Sequence, residues 1–165
     1  MNKRAESFDK ARDYAFFLLK FRLRSEDEII QRLRKKKIPE DTIKEVTSFL
    51  REKRFVDDNN FAQAWLNSRL KRPLGLRRIR QELSQKGIAK GVVETEIAKV
   101  KDYSETEVVS DLARERLNKL KGIELVKAKR RLYGYLIRRG FSPEVVIDVL
   151  NQLCSQPFRE GRGAF

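Results

Sequence analysis

The side chains best suited to chemistry in this sequence are lysines and arginines, which concentrate in three stretches. They number 38 against 24 acidic residues, so the formal net charge is +14 at pH 7. The three basic sets are Arg22, Arg24, Arg32, Arg34, Lys35, Lys36 and Lys37; then Arg69, Lys71, Arg72, Arg77, Arg78, Arg80 and Lys86; and then Lys127, Lys129, Arg130, Arg131, Arg138 and Arg139. Guanidinium and ammonium groups in this number favour binding to phosphates or to an acidic protein groove.

The groups that most enzymes need are scarce. The chain has no histidine and a single cysteine, Cys154, so a nucleophile lacks its usual base and one chain cannot assemble a Cys/His metal site. Gly75 and Gly87 stand alone rather than in a phosphate-binding loop. The paired acids Asp57 and Asp58 fit a helix cap better than an acid–base pair. We therefore expect no enzymatic activity and no cofactor, and we expect a reducing compartment.

An apolar pattern occurs three times along the chain. From its first residue it continues at offsets of four, nine, fourteen and twenty-one. The three copies are Ile29, Leu33, Ile38, Ile43 and Leu50; Ile79, Leu83, Ile88, Val93 and Val100; and Leu132, Leu136, Phe141, Val146 and Leu153. A weaker pattern starts at Ala15, Ala62 and Val109, which are spaced 47 residues apart. A period of roughly 45 to 50 residues with helical spacing indicates tandem helical repeats.

These patterns predict an all-α protein of three tandem three-helix repeats, at residues 8–54, 55–101 and 104–154, with a disordered tail at 155–165. Valine and isoleucine recur at spacings of three and four rather than in alternation, which argues against strands. Hydrophobic residues make up 40% of the chain and charged residues 38%, so the core is thin relative to the surface. An elongated array is therefore expected.

Capping residues predict where several helices begin. The first helix is expected from Phe8 to Leu23, with Ser7 as its N-cap. Ser25 and Glu28 form the pattern of a capping box, in which the hydroxyl and the carboxylate each accept a hydrogen bond from a backbone amide. Later helices are expected to start near Pro39, Asp57, Ser104 and Ser142.

The position of the basic residues predicts a binding surface. Equivalent helices of a repeat array lie on the same side, so cations on the second helices should form a continuous positive stripe. Arg72, Arg77 and Arg80 are candidate contacts on that stripe. The alternative is that these cations merely solvate surface helices. Their recurrence in three repeats, together with the net charge, favours a binding surface.

The aromatic residues give no evident platform for stacking unpaired bases. Tyr14, Phe61, Tyr133 and Phe141 fall at or beside core positions of the repeats, and Trp65 faces inward. The phenylalanines that follow Tyr14 make the first helix apolar on more than one side. Reading of individual bases is therefore poorly supported, and a helix-turn-helix reader is only a weak possibility.

The N-terminal region has the composition of a core helix rather than of a targeting segment. The apolar run Tyr14–Leu19 follows acidic residues, and no small-residue cleavage site comes after it. No stretch approaches the roughly 18 to 20 apolar residues that span a bilayer. We expect a cytoplasmic protein.

The central repeat carries a distinctive set of residues. They are Phe55-Val56-Asp57-Asp58, Phe61-Ala62, Arg69, Gly75, Arg78-Ile79, Glu82-Leu83 and Lys86-Gly87-Ile88. This set is similar to the hallmark segment of the bacterial RecX regulatory proteins. The first repeat resembles that family through Arg22, Arg24-Ser25, Glu28-Ile29 and Leu33, and the last through Arg138-Arg139-Gly140-Phe141. One departure is Lys37, which stands where the later repeats have Gly87 and Gly140.

The resemblance implies a modulator of the RecA recombinase that is a curved array of three-helix repeats. Such a protein binds in the groove of the RecA–DNA filament, inhibits RecA ATPase, strand exchange and co-protease activity, and so modulates DNA repair, recombination and the SOS response. We expect it to act as a monomer. A second hypothesis is a helical protein that binds DNA directly without sequence specificity.

The resemblance also implies binding roles for the matched basic residues Arg69, Arg78 and Lys86. A structural role at the end of the first helix is an equal alternative for Arg69 and its equivalents Arg22 and Arg116. With the stripe, the candidate partner-binding or DNA-binding residues are Arg69, Arg72, Arg77, Arg78, Arg80 and Lys86.

Overall fold

The computed structural model describes the backbone of residues 3–120 and 122–155 and the side chains of 4–120 and 122–153. Within those ranges the chain forms nine α-helices and no strand, which confirms the all-α prediction. The helices are α1 (Lys3–Leu19), α2 (Glu26–Lys35), α3 (Glu40–Glu52), α4 (Asp58–Leu70), α5 (Leu76–Gln85), α6 (Lys90–Ala98), α7 (Glu105–Lys119), α8 (Leu125–Arg138) and α9 (Pro143–Ser155). The predicted tail beyond 155 and the side chain of Cys154 lie outside the described residues. The elongated, curved shape stays a prediction.

The helices belong to two compact units. Unit 1 contains the described residues up to Ser68 together with Gln81–Val100, and unit 2 contains Arg69–Arg80 together with those from Lys101 onward. Helix α5 therefore contributes its N-terminal half to unit 2 and its C-terminal half to unit 1.

The core of unit 1 includes the predicted apolar positions of the first repeat. Ile29, Leu33, Ile43 and Leu50 are almost fully buried, and Ile38 packs against them. Small residues of α1 face the same core, including Ala11 and Ala15. Each large side chain buried in this way stabilises the fold by roughly 1.5 to 3 kcal/mol, so packing outweighs the modest helix propensity of the β-branched residues.

The core of unit 2 is built the same way from the third repeat. Leu132, Leu136, Phe141 and Val146 are fully or nearly fully buried. Ala113 of α7 lies against them in the same cluster. The middle repeat follows the same rule, since its predicted positions Ile79, Leu83, Ile88 and Val93 are also buried.

The first helix starts earlier than predicted. α1 begins at Lys3 rather than at Phe8, so Ser7 lies inside the helix and the prediction of Ser7 as N-cap was wrong. The residues before Ser7 are good helix formers. Glu6 also accepts a hydrogen bond of 2.6 Å from Lys10 one turn later, a spacing that favours helix.

The first helix also ends earlier than predicted. α1 stops at Leu19 rather than at Leu23. The guanidinium of Arg24 folds back, and its Nε donates to the carbonyl oxygen of Leu18 at 3.3 Å. This contact satisfies one of the carbonyls that the end of a helix leaves without a partner.

The predicted starts of the other helices are largely confirmed. Ser104 accepts from the amide of Glu107 at 3.3 Å, and Asp57 accepts from the amides of Asn59 and Asn60 at 2.9 and 3.1 Å. The hydroxyl of Ser25 likewise caps α2. These bonds satisfy the free amides of the first turn.

Candidate partner-binding surface

At two places the start of one helix meets the end of another, and these contacts position the predicted binding residues. We call the two contacts the first and the second junction. The first junction, within unit 1, joins Ser25–Glu28 at the start of α2 to Lys86–Gly87 after α5. The Ser25 hydroxyl donates to the carbonyl oxygen of Lys86 at 2.6 Å and accepts from the amide of Glu28 at 3.1 Å. A carbonyl at one helix end and an amide at another are satisfied through one buried hydroxyl.

The second junction, within unit 2, joins Gly75–Arg78 at the start of α5 to Arg139–Gly140 after α8. Here the contact is made by backbone alone. The amide of Gly75 donates to the carbonyl oxygen of Arg139 at 3.0 Å, and the amide of Arg77 donates to that of Gly140 at 3.2 Å. The free amides of one helix and the free carbonyls of another therefore satisfy each other.

Glycine is required at both junctions because the backbones approach so closely. A Cβ on Gly87 would lie 2.3 Å from the Cβ of Asp27, and one on Gly140 would lie 2.3 Å from the Cβ of Arg78. Both glycines also have positive φ, +76° and +85°. A Cβ on Gly75 would lie 2.1 Å from the carbonyl oxygen of Gly140. Any side chain at these positions would clash with the neighbouring chain segment. The helix ends can therefore dock this closely only where the sequence has glycine.

A largely buried carboxylate pairs with two cations at the first junction. Glu28 accepts two hydrogen bonds from Arg22, at 2.9 and 3.0 Å, and one from Lys86 at 2.5 Å. Its side chain is 14% exposed. Burial alone would raise the pKa of Glu28, but the hydrogen bonds and charges of Arg22 and Lys86 outweigh it and lower the pKa to about 2. The carboxylate was expected to cap its own helix, and it binds these two cations instead.

Lys86 and Arg22 are thus engaged inside unit 1. The ammonium of Lys86 also lies 5.1 Å from the centre of the Trp65 ring. Trp65 is half-buried, and its Nε1 donates to Glu82 at 3.1 Å. This geometry favours the structural alternative for Arg22 and gives Lys86 a structural role as well. Binding by Lys86 stays a prediction.

The second junction has a different electrostatic character. Arg78 occupies the position that Glu28 holds in the first repeat. Arg139 donates to the carbonyl oxygen of Pro73 at 2.9 Å, and its guanidinium lies 4.8 Å from the centre of the Tyr135 ring. Arg116 lies 4.1 Å from the same ring centre. Cation–π contacts of this kind hold arginines in place without removing their charge.

A tyrosine fixes the loop before α5 to the rest of unit 2. The hydroxyl of Tyr103 donates to the carbonyl oxygen of Leu74 at 2.9 Å. Burial, assisted by the charge of Glu105, raises the pKa of Tyr103 to about 12, so the phenol remains protonated and able to donate. The segment Arg69–Arg80, which carries most of the candidate residues, is therefore held by the backbone hydrogen bonds of Gly75 and Arg77 and by the bond from Tyr103 to Leu74.

The structure places the candidate residues in two groups. Arg72, Arg77 and Arg78 are exposed, whereas Arg69 and Arg80 are half-buried, and all five lie in the Arg69–Arg80 segment of unit 2. Lys86 belongs to unit 1. A continuous stripe across the repeats stays a prediction, but unit 2 has a compact basic segment of its own.

Helix α8 adds a basic cavity that the sequence reasoning did not identify. Its lining residues are Lys127, Arg130, Arg131, Gly134 and Arg138, and its volume is about 400 Å³. In the described part of the chain, only Lys127 among these cations has a carboxylate partner, Glu124 at 3.0 Å. Gly134 lets the guanidinium of Arg138 lie close to the helix, because a Cβ at this position would be 3.2 Å from its Nη1. A glycine inside a basic helix, about one turn from each arginine, was the available signal.

The interpretation of the aromatic residues was correct for the core and wrong for the surface. Phe61 and Phe141 are buried as predicted, but Tyr133 is 37% exposed. Phe17 and Phe21 are 56% and 67% exposed. The signal was the excess of phenylalanines on the first helix, which one core-facing stripe cannot accommodate.

Comparisons with known proteins match the whole array. Family models of the first, second and third three-helix domains of RecX match residues 11–50, 57–95 and 104–150. The regulatory protein RecX of Streptomyces coelicolor is 32% identical over 145 residues, which cover 87% of this chain and 77% of that protein. The corresponding protein of Chlorobium phaeobacteroides is 34% identical and is covered to 93% of its length. The chain belongs to the RecX family.

The fold of this RecX chain agrees with solved RecX structures. The crystal structure of RecX from Lactobacillus salivarius superposes with a TM-score of 0.81 at 24% identity and covers 92% of this chain and 99% of its own. Membership of this family of regulators also confirms the prediction that the chain is not an enzyme. Among the described residues, none of the helices is long and apolar enough to cross a bilayer. The outer limits of the three repeats stay a prediction.

Proposed function

We propose that this RecX protein is a cytoplasmic, monomeric regulator that binds in the groove of the RecA–DNA filament. There it inhibits RecA ATPase, strand exchange and co-protease activity, and so modulates DNA repair, recombination and the SOS response. The relatives from Streptomyces coelicolor and Chlorobium phaeobacteroides are regulatory proteins by name. The observation that carries the proposal is the basic segment Arg69–Arg80, held in place by the second junction.

The second junction suits a binding role because its backbone hydrogen bonds fix the start of an exposed basic segment. Arg77 and Arg78 follow directly on the glycine contact, so their Cα positions are fixed by backbone hydrogen bonds. A surface that is ordered before binding loses little conformational entropy on association. Exposed guanidinium groups can then meet carboxylates of a protein groove or phosphates of the DNA inside a filament.

Co-sedimentation tests this function. Filaments of RecA assembled on DNA should bring the protein into the pellet at concentrations where bare DNA does not. A variant with Arg72→Glu and Arg77→Glu should remain in the supernatant, because both side chains are exposed and repelled by an acidic partner. Lys44→Glu with Lys53→Glu, which changes net charge equally on exposed positions of unit 1, should pellet like the wild type. Pelleting that is equal with bare DNA and with filaments would contradict the proposal.

Direct DNA binding without sequence specificity is the second candidate function, and the basic cavity of α8 favours it. Arg130, Arg131 and Arg138 surround a space large enough for a phosphate group, in a part of the structure where no carboxylate pairs with them. If about five cations contact single-stranded DNA, log affinity falls with log salt at a slope of roughly −3.5. Sub-micromolar binding to DNA without RecA at moderate salt would support this function, and undetectable binding would count against it.

A further inference from the structure

Helix α1 of unit 1 and the turn that follows it carry a row of aromatic rings, two of which are exposed to solvent. This aromatic stripe consists of Tyr14, Phe17 and Phe21. Tyr14 and Phe17 are stacked with ring centres 6.5 Å apart and planes 17° apart, and Phe17 meets Phe21 edge-on at 5.0 Å. Phe17 and Phe21 are 56% and 67% exposed. Two neighbouring phenylalanines exposed to this degree leave apolar area in contact with water, which is unfavourable. An exposed apolar patch of this kind is typical of a binding site.

Cations flank the aromatic stripe. The ammonium of Lys36 lies 5.2 Å from the centre of the Tyr14 ring. Arg24 lies against the end of α1, where it donates to the Leu18 carbonyl. The amide of Lys36 donates to the carbonyl oxygen of Arg32 at 3.2 Å, so the two residues lie one turn apart on the same side of α2. We call Arg24, Arg32 and Lys36 the flanking cations.

The acids of this region are already paired. Asp13, which lies one turn before Phe17 on α1, accepts from Arg12 at 3.0 Å. Glu28 is occupied by Arg22 and Lys86. In the described part of unit 1, Arg32 has no carboxylate partner. The surface beside the rings is therefore positively charged.

Exposed aromatic rings beside cations favour one class of ligand. Single-stranded nucleic acid offers unpaired bases that stack on aromatic rings and phosphates that pair with cations a short distance away. A duplex keeps its bases inside the stack and offers only phosphates. An apolar protein surface would cover the rings but would also bury Arg32 and Lys36 without countercharges, at a large cost.

We propose that the aromatic stripe and its flanking cations form a binding site for single-stranded nucleic acid, in which bases stack on Phe17 and Phe21 and phosphates contact Arg24, Arg32 and Lys36. The site goes beyond the regulatory function and does not require it. It also lies in unit 1, whereas the segment assigned to filament binding lies in unit 2.

Fluorescence anisotropy with three ligands tests the stacking. These are labelled oligothymidylate, an abasic oligonucleotide of equal length, and a duplex. Phe17→Ala with Phe21→Ala should weaken oligothymidylate binding by at least about tenfold, since each stacked base contributes roughly 1 to 3 kcal/mol. Binding of the abasic ligand and of the duplex should not change. Both side chains are mostly exposed, so the variant should fold, and circular dichroism checks this.

Two further variants make the test specific. Val126→Ala with Ile147→Ala removes exposed apolar side chains from unit 2, 71% and 46% exposed, and should leave all three affinities unchanged. Arg32→Ala with Lys36→Ala should weaken oligothymidylate and abasic ligand alike and should reduce the salt slope by roughly 1.4.

Either of two results would overturn the proposal. One is equal affinity of the wild type for oligothymidylate and for the abasic ligand. The other is unchanged oligothymidylate binding by the phenylalanine variant. If that variant instead altered self-association in sedimentation, the stripe would be a protein contact. Co-sedimentation with filaments is measured separately, so failure here is distinct from failure of the regulatory function.

Discussion

Both junctions bring the start of one helix against the end of another at very short distance, and they differ in the side chain at one equivalent position, Glu28 in the first and Arg78 in the second. In the first, Ser25 links the helix ends and Glu28 pairs with both Arg22 and Lys86. In the second, backbone amides link the helix ends directly, and Arg78 stands where Glu28 would be. Close approach of the backbone, rather than a particular side-chain interaction, therefore defines the contact. Charge can then differ between junctions, and the second one keeps its cations on the surface.

Lys37 shows that positive φ and close approach of the backbone are separate reasons for having glycine after a second helix. It has φ of +57°, in the same region as Gly87 and Gly140. Its amide donates to the carbonyl oxygen of Arg34 at 2.8 Å, which repeats the turn found after α5 and α8. Because α2 belongs to the first repeat, no earlier second helix in the described chain docks against this turn. Positive φ alone tolerates lysine, whereas close approach does not.

The largest expected effect comes from adding one methyl group to the second junction. Gly75→Ala should lower the free energy of unfolding by about 3 kcal/mol, because the new Cβ meets the backbone of Gly140, which cannot move aside. Urea unfolding measures it. Gly91→Ala is the matched control, since nothing lies within 4 Å of its Cβ position, and it should change stability by less than about 0.5 kcal/mol. Equal effects of the two changes would refute the close-contact account.

The carboxylate of the first junction should make stability depend on pH. Glu28→Gln should cost about 2 kcal/mol at pH 7, because it leaves Arg22 and Lys86 with a neutral partner. The folded-state pKa of Glu28 is lowered from 4.5 to about 2, so its contribution is complete above about pH 4.5 and is lost as pH falls towards 2. Unfolding curves of wild type and variant should therefore converge near pH 2.

A control for that titration is Glu40→Gln. Its carboxylate pairs with Arg34 at 2.8 Å on the surface, where solvent weakens the pair. A pH-dependent difference as large as that of Glu28→Gln would show that burial at the first junction is not the cause.

A smaller effect distinguishes two serine caps. Ser25→Ala should cost about 1.5 kcal/mol, because the buried hydroxyl both caps α2 and donates to Lys86. Ser104→Ala removes a cap alone and should cost about 0.5 to 1 kcal/mol. Thermal unfolding of the two variants should rank them in that order. The reverse order would mean that the hydroxyl does not link the helix ends.

The smallest expected effect is a gain in stability. Lys37→Gly should stabilise the chain by about 0.5 to 1 kcal/mol, because glycine adopts positive φ without strain. The converse change, Gly87→Lys, should destabilise it by more than that gain, since it meets Asp27. Chemical denaturation of both proteins measures the difference. A loss of stability in Lys37→Gly would show that the lysine side chain stabilises this turn.

Local patterns in the sequence predicted most of the fold. The apolar periodicity located the repeats, and the caps at Ser25, Asp57 and Ser104 located helix starts, because both depend on residues close in sequence. The partner of Glu28 was not predictable, since Lys86 is 58 residues away and only docking of the repeats brings them together. Exposure of Phe17 and Phe21 was missed for a related reason, because apolar composition shows which residues favour burial but not how many a core can accept.

The measurement that tests the central claim most directly is RecA ATPase on single-stranded DNA with added protein. The variant combines Arg77→Glu, Arg78→Glu and Arg80→Glu, which keep a Cβ at each position and so preserve the packing against Gly140. Its control combines Lys44→Glu, Lys53→Glu and Lys90→Glu, exposed positions of unit 1 with the same change in net charge. We predict that the wild type and the control inhibit the ATPase and that the folded variant does not. Full inhibition by that variant would contradict the assignment of the second junction as the surface that binds the filament.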